Sequence, residues 1–576
     1  MTKEEVIIGI DLGTTTTEAA IYRNGKVEMI PDLRGNYAVP SVVGIDDGGK
    51  FVVGERARAQ YVLAPERTAI EIKRNIGTGE RIRLDGREYT AVELSAKILE
   101  YVKEYAEAYL GVPVDRAVIS VPAYFNDVQR RETAEAGRLA GFSVERIINE
   151  PTAAALSYGI SHLEEESYLM VYDLGGGTFD VTVLEMFEGV LEVKASSGDN
   201  RLGGKDFDLR LMQWLQEKFE TKHGVSLEDN VFAKSRLKDA AEECKITLSE
   251  QESTVVRIPM LAQKDGQPLG LEETVTREEF EAMIAGDLER TRRPVDIALG
   301  DSGISEGELD MILLAGGSTR IPAVRRQIRS MLGMEPSAAI HPDYSIAQGA
   351  AVQAGMISGA VDAAQGMVMT DVNPYTLGIR AMNEFTTDVM SVVIPRNVTI
   401  PVTRRERYYT SWDGQDAAVI QVFQGEHAAA SRNHMVGEFT VGDIPRGPAG
   451  SEQIDVEFSY NQNGILQVSA YIVSTGKSAS VTISMDSASL PDEKNSEEWK
   501  KSPIARDFRS LIRRAEKTLR VLRTGANVEK AGELETMIGQ LKYAVMKEYR
   551  SRAEEIEDRL RAFLDDKGEE AGEEKR

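Results

Sequence analysis

Two stretches of this chain place an aspartate near the end of an apolar run, one leucine before glycine and then threonine. In the first, Val6-Ile-Ile-Gly-Ile10-Asp11-Leu12-Gly13-Thr14-Thr15-Thr16-Thr17 runs on into Glu-Ala-Ala-Ile-Tyr22. In the second, Tyr168-Leu-Met-Val-Tyr-Asp173-Leu-Gly175-Gly176-Gly177-Thr178 runs on into Phe-Asp180-Val-Thr-Val-Leu184. Glycine lets a turn bring backbone N–H groups close to an anion, and a carboxylate at a strand end can sit beside a hydrated divalent cation. The chemistry that uses both is the binding of a Mg²⁺-nucleotide. A glycine triplet alone is more often an ordinary turn. Here the syntax occurs twice, with Thr16 answering Thr178 five residues after each aspartate, which indicates an internal duplication. Two such hairpins could close on a polyphosphate from opposite sides, with Asp11 and Asp173 sharing one Mg²⁺.

The elements that must position these residues follow from the local pattern. A β-branched and aromatic run, broken by glycine and resumed in alternation, reads as strand, tight turn and strand. Tyr37–Val43 and Lys50–Glu55 read as further strands, followed by the basic pair Lys73 and Arg74, which by themselves read more readily as surface cations. Residues 91–110 carry apolar groups at three- and four-residue spacing and stop at Gly111, the pattern of an amphipathic helix. The strand Arg116–Val121 leads to Pro122 and to a helix from about Val128 to Gly141, with Asn126 or Asp127 as its N-cap. Glu150 precedes a proline able to open the next helix, which puts its carboxylate at a strand-to-helix turn where active-site groups often project. Gly203 and Gly204 open a helix, Arg236–Ser249 forms a charged one, and the strand Leu309–Ala315 ends in a third glycine turn, Gly316-Gly317-Ser318. Alternating strands and helices predict an α/β domain.

A length of 576 residues calls for several domains, and 42% hydrophobic with 28% charged residues is ordinary soluble composition. A net charge of −25 argues against a nucleic-acid surface, which needs Lys and Arg to neutralise phosphates. The single cysteine, Cys244, excludes an internal disulfide framework and reads as a packing residue on a helix. No run of about 20 apolar residues could span a membrane, and the N-terminus lacks the pattern of a signal peptide, so the expected location is the cytoplasm. The five histidines show no metal-ligand spacing.

Near residue 365 the character changes. Alanine-rich helical sequence gives way to Gln365-Gly366-Met-Val-Met-Thr-Asp371, and alternating strands then continue to about Met485, as in a β-sandwich of roughly 115 residues. Its ionisable residues form no catalytic grouping, which predicts binding rather than chemistry. From about Glu497 the helical period returns, with Phe508, Leu511, Ile512, Ala515, Leu519 and Leu522 on one face, and Leu534, Ile538, Leu541 and Val545 on another. A cover over the β-module and a self-contained helical hairpin both fit. The charged residues 565–576 are expected to fray.

Six motifs in order now carry a resemblance. Ile10-Asp-Leu-Gly-Thr-Thr15, Val121-Pro-Ala-Tyr-Phe-Asn-Asp127, Ile148-Asn-Glu-Pro-Thr-Ala-Ala-Ala155, Asp173-Leu-Gly-Gly-Gly-Thr-Phe-Asp180, Gly203-Gly-Lys-Asp-Phe-Asp208 and Gly316-Gly-Ser-Thr-Arg-Ile-Pro322 resemble the Hsp70 molecular chaperones of the bacterial DnaK type, over nearly the whole chain. The resemblance implies a multidomain protein: an α/β actin-like, two-lobed ATPase domain over 1–364, a linker over 365–371, an antiparallel β-sandwich for peptides over 372–486, and a helical lid over 487–564 before the tail. It implies a chaperone that captures and releases extended hydrophobic segments of unfolded proteins in step with ATP hydrolysis. ATP/ADP and Mg²⁺ are the implied cofactors, with K⁺ a further candidate. A J-domain co-chaperone and a nucleotide-exchange factor are the implied partners, with no nucleic acid and no membrane.

Carried over position by position, Asp11, Gly13, Thr14, Thr15 and Thr16 match the first phosphate loop, and Asp173, Gly175, Gly176, Gly177 and Thr178 the second. Lys73 matches the lysine that would stabilise charge on the γ-phosphoryl group, and Glu150 would join the two aspartates in holding water around Mg²⁺ or in orienting the attacking water. Gly203, Gly204, Glu242, Lys245, Ser249, Gly316, Gly317, Ser318, Arg320 and Asp343 match further nucleotide positions. Pro122, Arg130 and Asp371 match the coupling between nucleotide state and peptide module. Leu377, Ile379, Met382, Tyr408, Ser411, Ala418 and Ile420 fall near the peptide groove, although Leu377 and Ile379 fit a sandwich core equally well.

Departures from the family pattern are local. Thr370 occupies the last apolar place of the linker, which predicts weaker docking. The segment from Lys73 to Thr90 is shorter than in many relatives, the lid is short, and Ser411 with Trp412 stands at the arch. The altered linker and lid motivate a second reading, an Hsp70-like nucleotide-binding partner or exchange factor with weak peptide cycling. A metabolite kinase on the same scaffold would share the phosphate loops but leave the sandwich and lid without a purpose.

Overall fold

The computed structural model describes residues 6–361, 367–383, 386–482 and 502–523, together with 534, 537–538, 541–542, 545, 556–557, 559–561 and 563–564. The chain divides into two compact units, Met1–Ser484 and Met485–Arg576.

The first unit begins with β1 (Ile7–Leu12), β2 (Thr16–Arg23) and β3 (Lys26–Ile30), an antiparallel meander to which β4 (Arg116–Val121) and β5 (Ser143–Asn149) add in parallel, giving the order β5-β4-β1-β2-β3. The second sheet repeats the plan. Its meander is β6 (Ser167–Leu174), β7 (Phe179–Phe187) and β8 (Val190–Asp199), with β9 (Met311–Ala315) parallel to β6. The duplication legible in the sequence is therefore a duplication of topology. The central strands are continuous apolar runs, as expected where helices cover both faces of a sheet. The predicted strands over 37–43 and 50–55 are shorter than the pattern suggested: only Val39–Pro40, Val43–Ile45 and Phe51–Val53 pair, and Glu55 opens the helix Glu55–Tyr61.

Helix α1 (Ala91–Leu110) stops at Gly111, as the spacing predicted, with a φ of +70° that suits glycine, and it starts at a Thr90–Glu93 capping box. Helix α2 (Asp127–Leu139) has Asn126 as its N-cap, with Gln129 completing the box. Then come α3 (Glu150–Gly159), α4 (Gly204–His223), α5 (Val231–Glu250), α6 (Pro322–Leu332) and α7 (Ser345–Ser358). Helices α3 and α7 pack backbone to backbone: a Cβ on Gly349 would lie 1.6 Å from the Ala153 carbonyl oxygen. Their alanines, with Ile7, Val118, Leu313 and Met367, form a core between the sheets. Separate cores back each sheet, one with Ile10, Leu94 and Val102, the other with Phe207, Leu211 and Leu237. The cleft above the shared core is where both glycine hairpins open.

Within the segment expected as the linker lies a strand, β10 (Val368–Val372), which pairs in parallel with β8 and so extends the second sheet. Beyond it lie β11 (Leu377–Ala381), β12 (Val389–Ile394), β13 (Thr399–Ile400), β14 (Val402–Tyr409), β15 (Ala417–Gln424), β16 (His434–Gly442), β17 (Gln453–Tyr460), β18 (Leu466–Ile472) and β19 (Ser478–Thr482). Strand β13 pairs with β10, and the others form two four-stranded antiparallel sheets, β12-β11-β15-β16 and β14-β17-β18-β19.

In the second unit, α8 (Ala505–Arg523) buries Phe508, Leu511, Ile512 and Ala515 in one core with Leu534, Ile538, Leu541 and Val545. Both predicted apolar stripes meet there, so this helical unit has a core of its own. The parts of the expected linker, lid and tail over 365–366, 487–501 and 565–576, and the Leu522 side chain, lie outside the described residues.

Candidate nucleotide site

Asp11 and Asp173 are the penultimate residues of β1 and β6, each at the mouth of its hairpin. In β1–β2 Asp11 lies opposite Glu18, and in β6–β7 Asp173 lies opposite Asp180. Opposed residues of an antiparallel pair project from the same face of the sheet. Each hairpin therefore presents two buried carboxyl groups, seven residues apart in sequence. Glu18 and Asp180 were not among the expected site residues, and that repeated spacing is the signal that could have found them.

The hairpin tips face each other. A Cβ on Gly176 would lie 2.1 Å from Thr15 Oγ1, and one on Gly177 would lie 2.8 Å from Thr14 Oγ1. The threonine carbonyls turn back on their own loops: Gly175 N–H donates to the Thr178 carbonyl at 3.1 Å, and the Thr16 carbonyl closes on Gly13. Gly203 and Gly204 let the start of α4 seat against the second loop, with Gly204 N–H and Lys205 N–H donating to the carbonyls of Gly175 and Gly176 at 3.0 and 2.8 Å. Gly316, at φ +80°, passes so close to Asp173 that a Cβ there would lie 2.7 Å from Oδ1, and Ser318 Oγ donates to the Gly175 carbonyl at 2.9 Å. Only glycine allows these backbones to converge.

Lys73 lies in the 3₁₀ turn Ile72–Asn75, and its buried Nζ donates to Glu150 Oε1 at 2.5 Å. Context removes the surface reading: the lysine is enclosed among Glu150, Asp11, Asp173 and Asp180. Ser120 Oγ donates to Asp11 Oδ1 at 2.7 Å, and Tyr124 N–H to Asp180 Oδ1 at 3.0 Å. Burial, reinforced by the Glu150 carboxylate, pushes Asp11 and Asp180 each up to about 7 and raises Asp173 well above the ordinary carboxylate range. Asp173 Oδ2 and Asp180 Oδ2 are buried without a protein partner. A pocket with excess carboxylate, unpartnered oxygens and one central ammonium fits a hydrated divalent cation with a polyphosphate.

The adenosine-side residues also converge. Glu242 Oε1 accepts from Lys205 Nζ and Oε2 from Arg58 Nη2, both at 2.6 Å. Burial opposes its ionisation, yet Lys205 and Arg58 outweigh it and hold the carboxyl at about 2. Lys245 Nζ meets Asp208 Oδ1 at 2.7 Å, and Arg320 meets Asp343 at 2.6 Å beside Gly317. Ser249 Oγ instead donates to the Lys245 carbonyl of its own helix. A small cavity between Thr14, Thr15, Arg58, Glu71, Lys205 and Glu242 opens beside the loops. Sequence reasoning missed Arg58, Lys205 and Asp208, because nothing local marks a charged group whose partner lies on another element.

The coupling residues meet through an unanticipated partner, Asn149. Arg130 Nη2 donates to Asn149 Oδ1 at 2.7 Å, and Asn149 Nδ2 donates to both oxygens of Asp371 at 2.9 Å. Asn149 is the N-cap residue before Glu150, so the side chain that binds Asp371 is the chain neighbour of a site residue. Pro122 begins the turn that carries Tyr124, its carbonyl accepting from Phe125 N–H at 3.1 Å. The sandwich adds Asp127 Oδ1 accepting from Leu466 N–H at 2.9 Å and Arg396 bound to Asp301 at 2.6 Å.

In the sandwich, Leu377, Ile379 and Ile420 are buried, Ala418 and Tyr408 are half-buried, and Met382 and Ser411 are exposed. Tyr408 Oη and Ser391 Oγ lie 2.9 Å apart, linking β14 to β12 across the two sheets.

The comparisons with known proteins agree with this architecture. The family model described as Hsp70 protein matches residues 7–82 and 78–576. Chaperone protein DnaK of Thermotoga petrophila is 46% identical over 484 residues, covering 84% of this chain and 80% of its own, and that of Thermotoga maritima matches equally. Chaperone protein DnaK of Thermotoga neapolitana is 42% identical over 559 residues, covering 94% of this chain and 93% of its own. The chain belongs to the Hsp70 family.

Proposed function

We propose that in this ATP-dependent molecular chaperone, an ATPase, hydrolysis of ATP to ADP and phosphate takes place between the two hairpins. The observation that carries the reading is the Lys73–Glu150 pair buried at 2.5 Å between two facing glycine loops. Backbone N–H groups of Gly13–Thr16 and Gly176–Thr178 hold the phosphates, the Gly175 N–H being taken by the Thr178 carbonyl. Lys73 Nζ stabilises the charge that grows on the γ-phosphoryl oxygens, and Glu150 accepts a hydrogen bond from the attacking water and orients it. Thr178 helps close the second loop around the same group. Bound Mg²⁺ neutralises phosphate charge. Asp11, Asp173 and Glu150 would hold it through water, and the buried, unpartnered Oδ2 of Asp173 supports that reading. K⁺ is a further candidate for the surplus carboxylates. The adenosine is assigned to Glu242, Lys245, Ser249, Gly316–Ser318, Arg320 and Asp343.

The division of labour we propose is an actin-like, two-lobed ATPase over 1–364, a linker over 365–371, a peptide-binding sandwich over 372–486 and a lid over 487–564. The peptide groove is assigned to Leu377, Ile379, Met382, Tyr408, Ser411, Ala418 and Ile420, and extended segments of unfolded proteins add to the sandwich by backbone hydrogen bonds. A J-domain co-chaperone and a nucleotide-exchange factor are the proposed partners, and the bacterial cytosol the proposed location. Among the described residues no helix is long and apolar enough to cross a membrane.

Single-turnover ATP hydrolysis by the full chain, with and without a short apolar peptide, tests this reading. Stimulation by peptide of several-fold or more is the expected result. Hydrolysis indifferent to peptide would overturn the coupled cycle and favour the partner or exchange-factor role.

A further inference from the structure

The basic pair of the sequence is only half used by the site. Lys73 faces Glu150, whereas its neighbour Arg74 reaches the other way, across the cleft. Its turn is anchored in the first core through Ile72 and Ile76, while its guanidinium meets α4, which belongs to the second. Arg74 Nη2 donates to Asp206 Oδ2 at 2.6 Å and to the Gly177 carbonyl at 3.3 Å, and Nη1 approaches Asp206 Oδ1 at 3.4 Å. Asp206 Oδ2 also accepts from Gly203 N–H at 2.8 Å, so one carboxylate ties the arginine to the glycine on which the second loop rests.

Two further observations concern the phosphate end of the cleft. A Cβ on Gly177 would lie 2.9 Å from Arg74 Nε and 2.8 Å from Thr14 Oγ1, so the arginine and the first loop approach the same face of the second loop. The Nε–H of Arg74 is buried and has no acceptor in the protein. A buried donor on a charged group is costly to leave unpaired, and a phosphate oxygen is a strong acceptor for a guanidinium.

We infer that Arg74 is a specificity-determining residue for the triphosphate: it ties the second phosphate loop to the Lys73 turn across the cleft and presents its unpaired Nε–H to the terminal phosphoryl group. The inference rests on the nucleotide site proposed above. It follows that ADP, lacking that group, is bound without the Nε–H contact, and that Arg74 acts in the ATP state and on the phosphate formed by hydrolysis.

The test is the affinity of the full chain for ATP and for ADP, each with Mg²⁺, in the unsubstituted protein and in Arg74→Gln, Arg74→Lys and Asp206→Asn. Loss of a charge-assisted hydrogen bond corresponds to about tenfold or more in affinity. Arg74→Gln is expected to lower ATP affinity by about that factor, to leave ADP affinity within about twofold and to speed phosphate release after a single turnover. Arg74→Lys, with charge but no planar fork, is expected to fall between. Asp206→Asn retains the guanidinium and is expected to disturb the ATP-to-ADP ratio less than Arg74→Gln. Equal weakening of both nucleotides by Arg74→Gln, or an Asp206→Asn effect as large on that ratio, would mark Arg74 as a cleft strut and overturn the inference. Failure of the unsubstituted chain to bind either nucleotide would instead sink the site itself, and Arg74 with it.

Discussion

Lys73 is the one ammonium enclosed by the carboxyl groups of Glu150, Asp11, Asp173 and Asp180, and its charge is worth far more there than at a wet surface. Lys73→Ala removes no loop and no glycine, so nucleotide affinity should change by only a few-fold. Single-turnover hydrolysis should slow by about a hundredfold or more. Unchanged hydrolysis would remove Lys73 from the mechanism. The carboxyl groups predict a pH effect of definite sign. Burial first, and the Glu150 charge second, raise Asp11 and Asp180 to about 7, above their values in an unfolded chain. Their contribution to the stability of the nucleotide-free protein is therefore present in acid and is lost as pH rises through about 7, where buried groups must ionise. A bound Mg²⁺-nucleotide needs the ionised forms. The rise in melting temperature on adding Mg²⁺-ATP should thus be larger at about pH 8 than at about pH 6. Thermal denaturation at the two pH values checks this, and an equal rise at both would refute it.

At the scale of elements, the linker strand carries the instructive departure. Thr370 was expected to weaken docking, and β10 nonetheless pairs along β8, with Thr370 opposite Glu192. The cost is visible in the side chain: Thr370 Oγ1 is buried with no hydrogen-bond partner. An unpaired buried hydroxyl costs about 1–3 kcal/mol relative to a paired one. Thr370→Leu should shift the equilibrium toward the docked strand, seen as about fivefold or greater protection of β8 and β10 amides from hydrogen exchange. Protection that stays the same or falls would show that the hydroxyl is tolerated without cost. Asp371 works in the opposite sense. Its carboxylate accepts from Asn149 Nδ2 and Thr152 Oγ1 on α3 and the residue before it, so Asp371→Ala should abolish peptide stimulation while sparing basal hydrolysis. Persisting stimulation in that variant would exclude the Asn149–Asp371 contact as the coupling route.

For the first unit as a whole, separate polar pairs join the sandwich to the ATPase body: Arg396 with Asp301, Asn397 with Ser196 N–H, Leu466 N–H with Asp127, and Tyr375 Oη with the Tyr124 carbonyl, beside a Tyr124–Tyr375 ring contact. A polar interface of separate contacts can open without exposing a large apolar core, which suits a switch between two populations. Arg396→Glu places a like charge against Asp301. In the presence of ATP it should enlarge the particle in small-angle scattering and reduce peptide stimulation. Unaltered scattering would show that this ion pair does not hold the two parts together.

What the sequence determined by itself was local and repeated: two strand–glycine–strand hairpins, the aspartates at their strand ends, α1 with its glycine stop, the turn bearing Glu150, and the change of period near residue 365. Each is encoded within a few residues, through side-chain alternation and backbone freedom, so no partner is needed to read it. The seven-residue spacing that pairs Asp11 with Glu18 and Asp173 with Asp180 was equally available, because hairpin register follows from the turn. Tertiary structure alone decided which cations meet which carboxylates. Arg58 on Glu242, Lys205 on the same carboxylate, Arg74 on Asp206 and Asn149 on Asp371 join residues far apart in the chain. Only packing, of α4 on α5 for Lys205 and of the first sheet's elements on the second's for the others, brings those groups together, and only the resulting burial raises the aspartates and gives their charges chemical force.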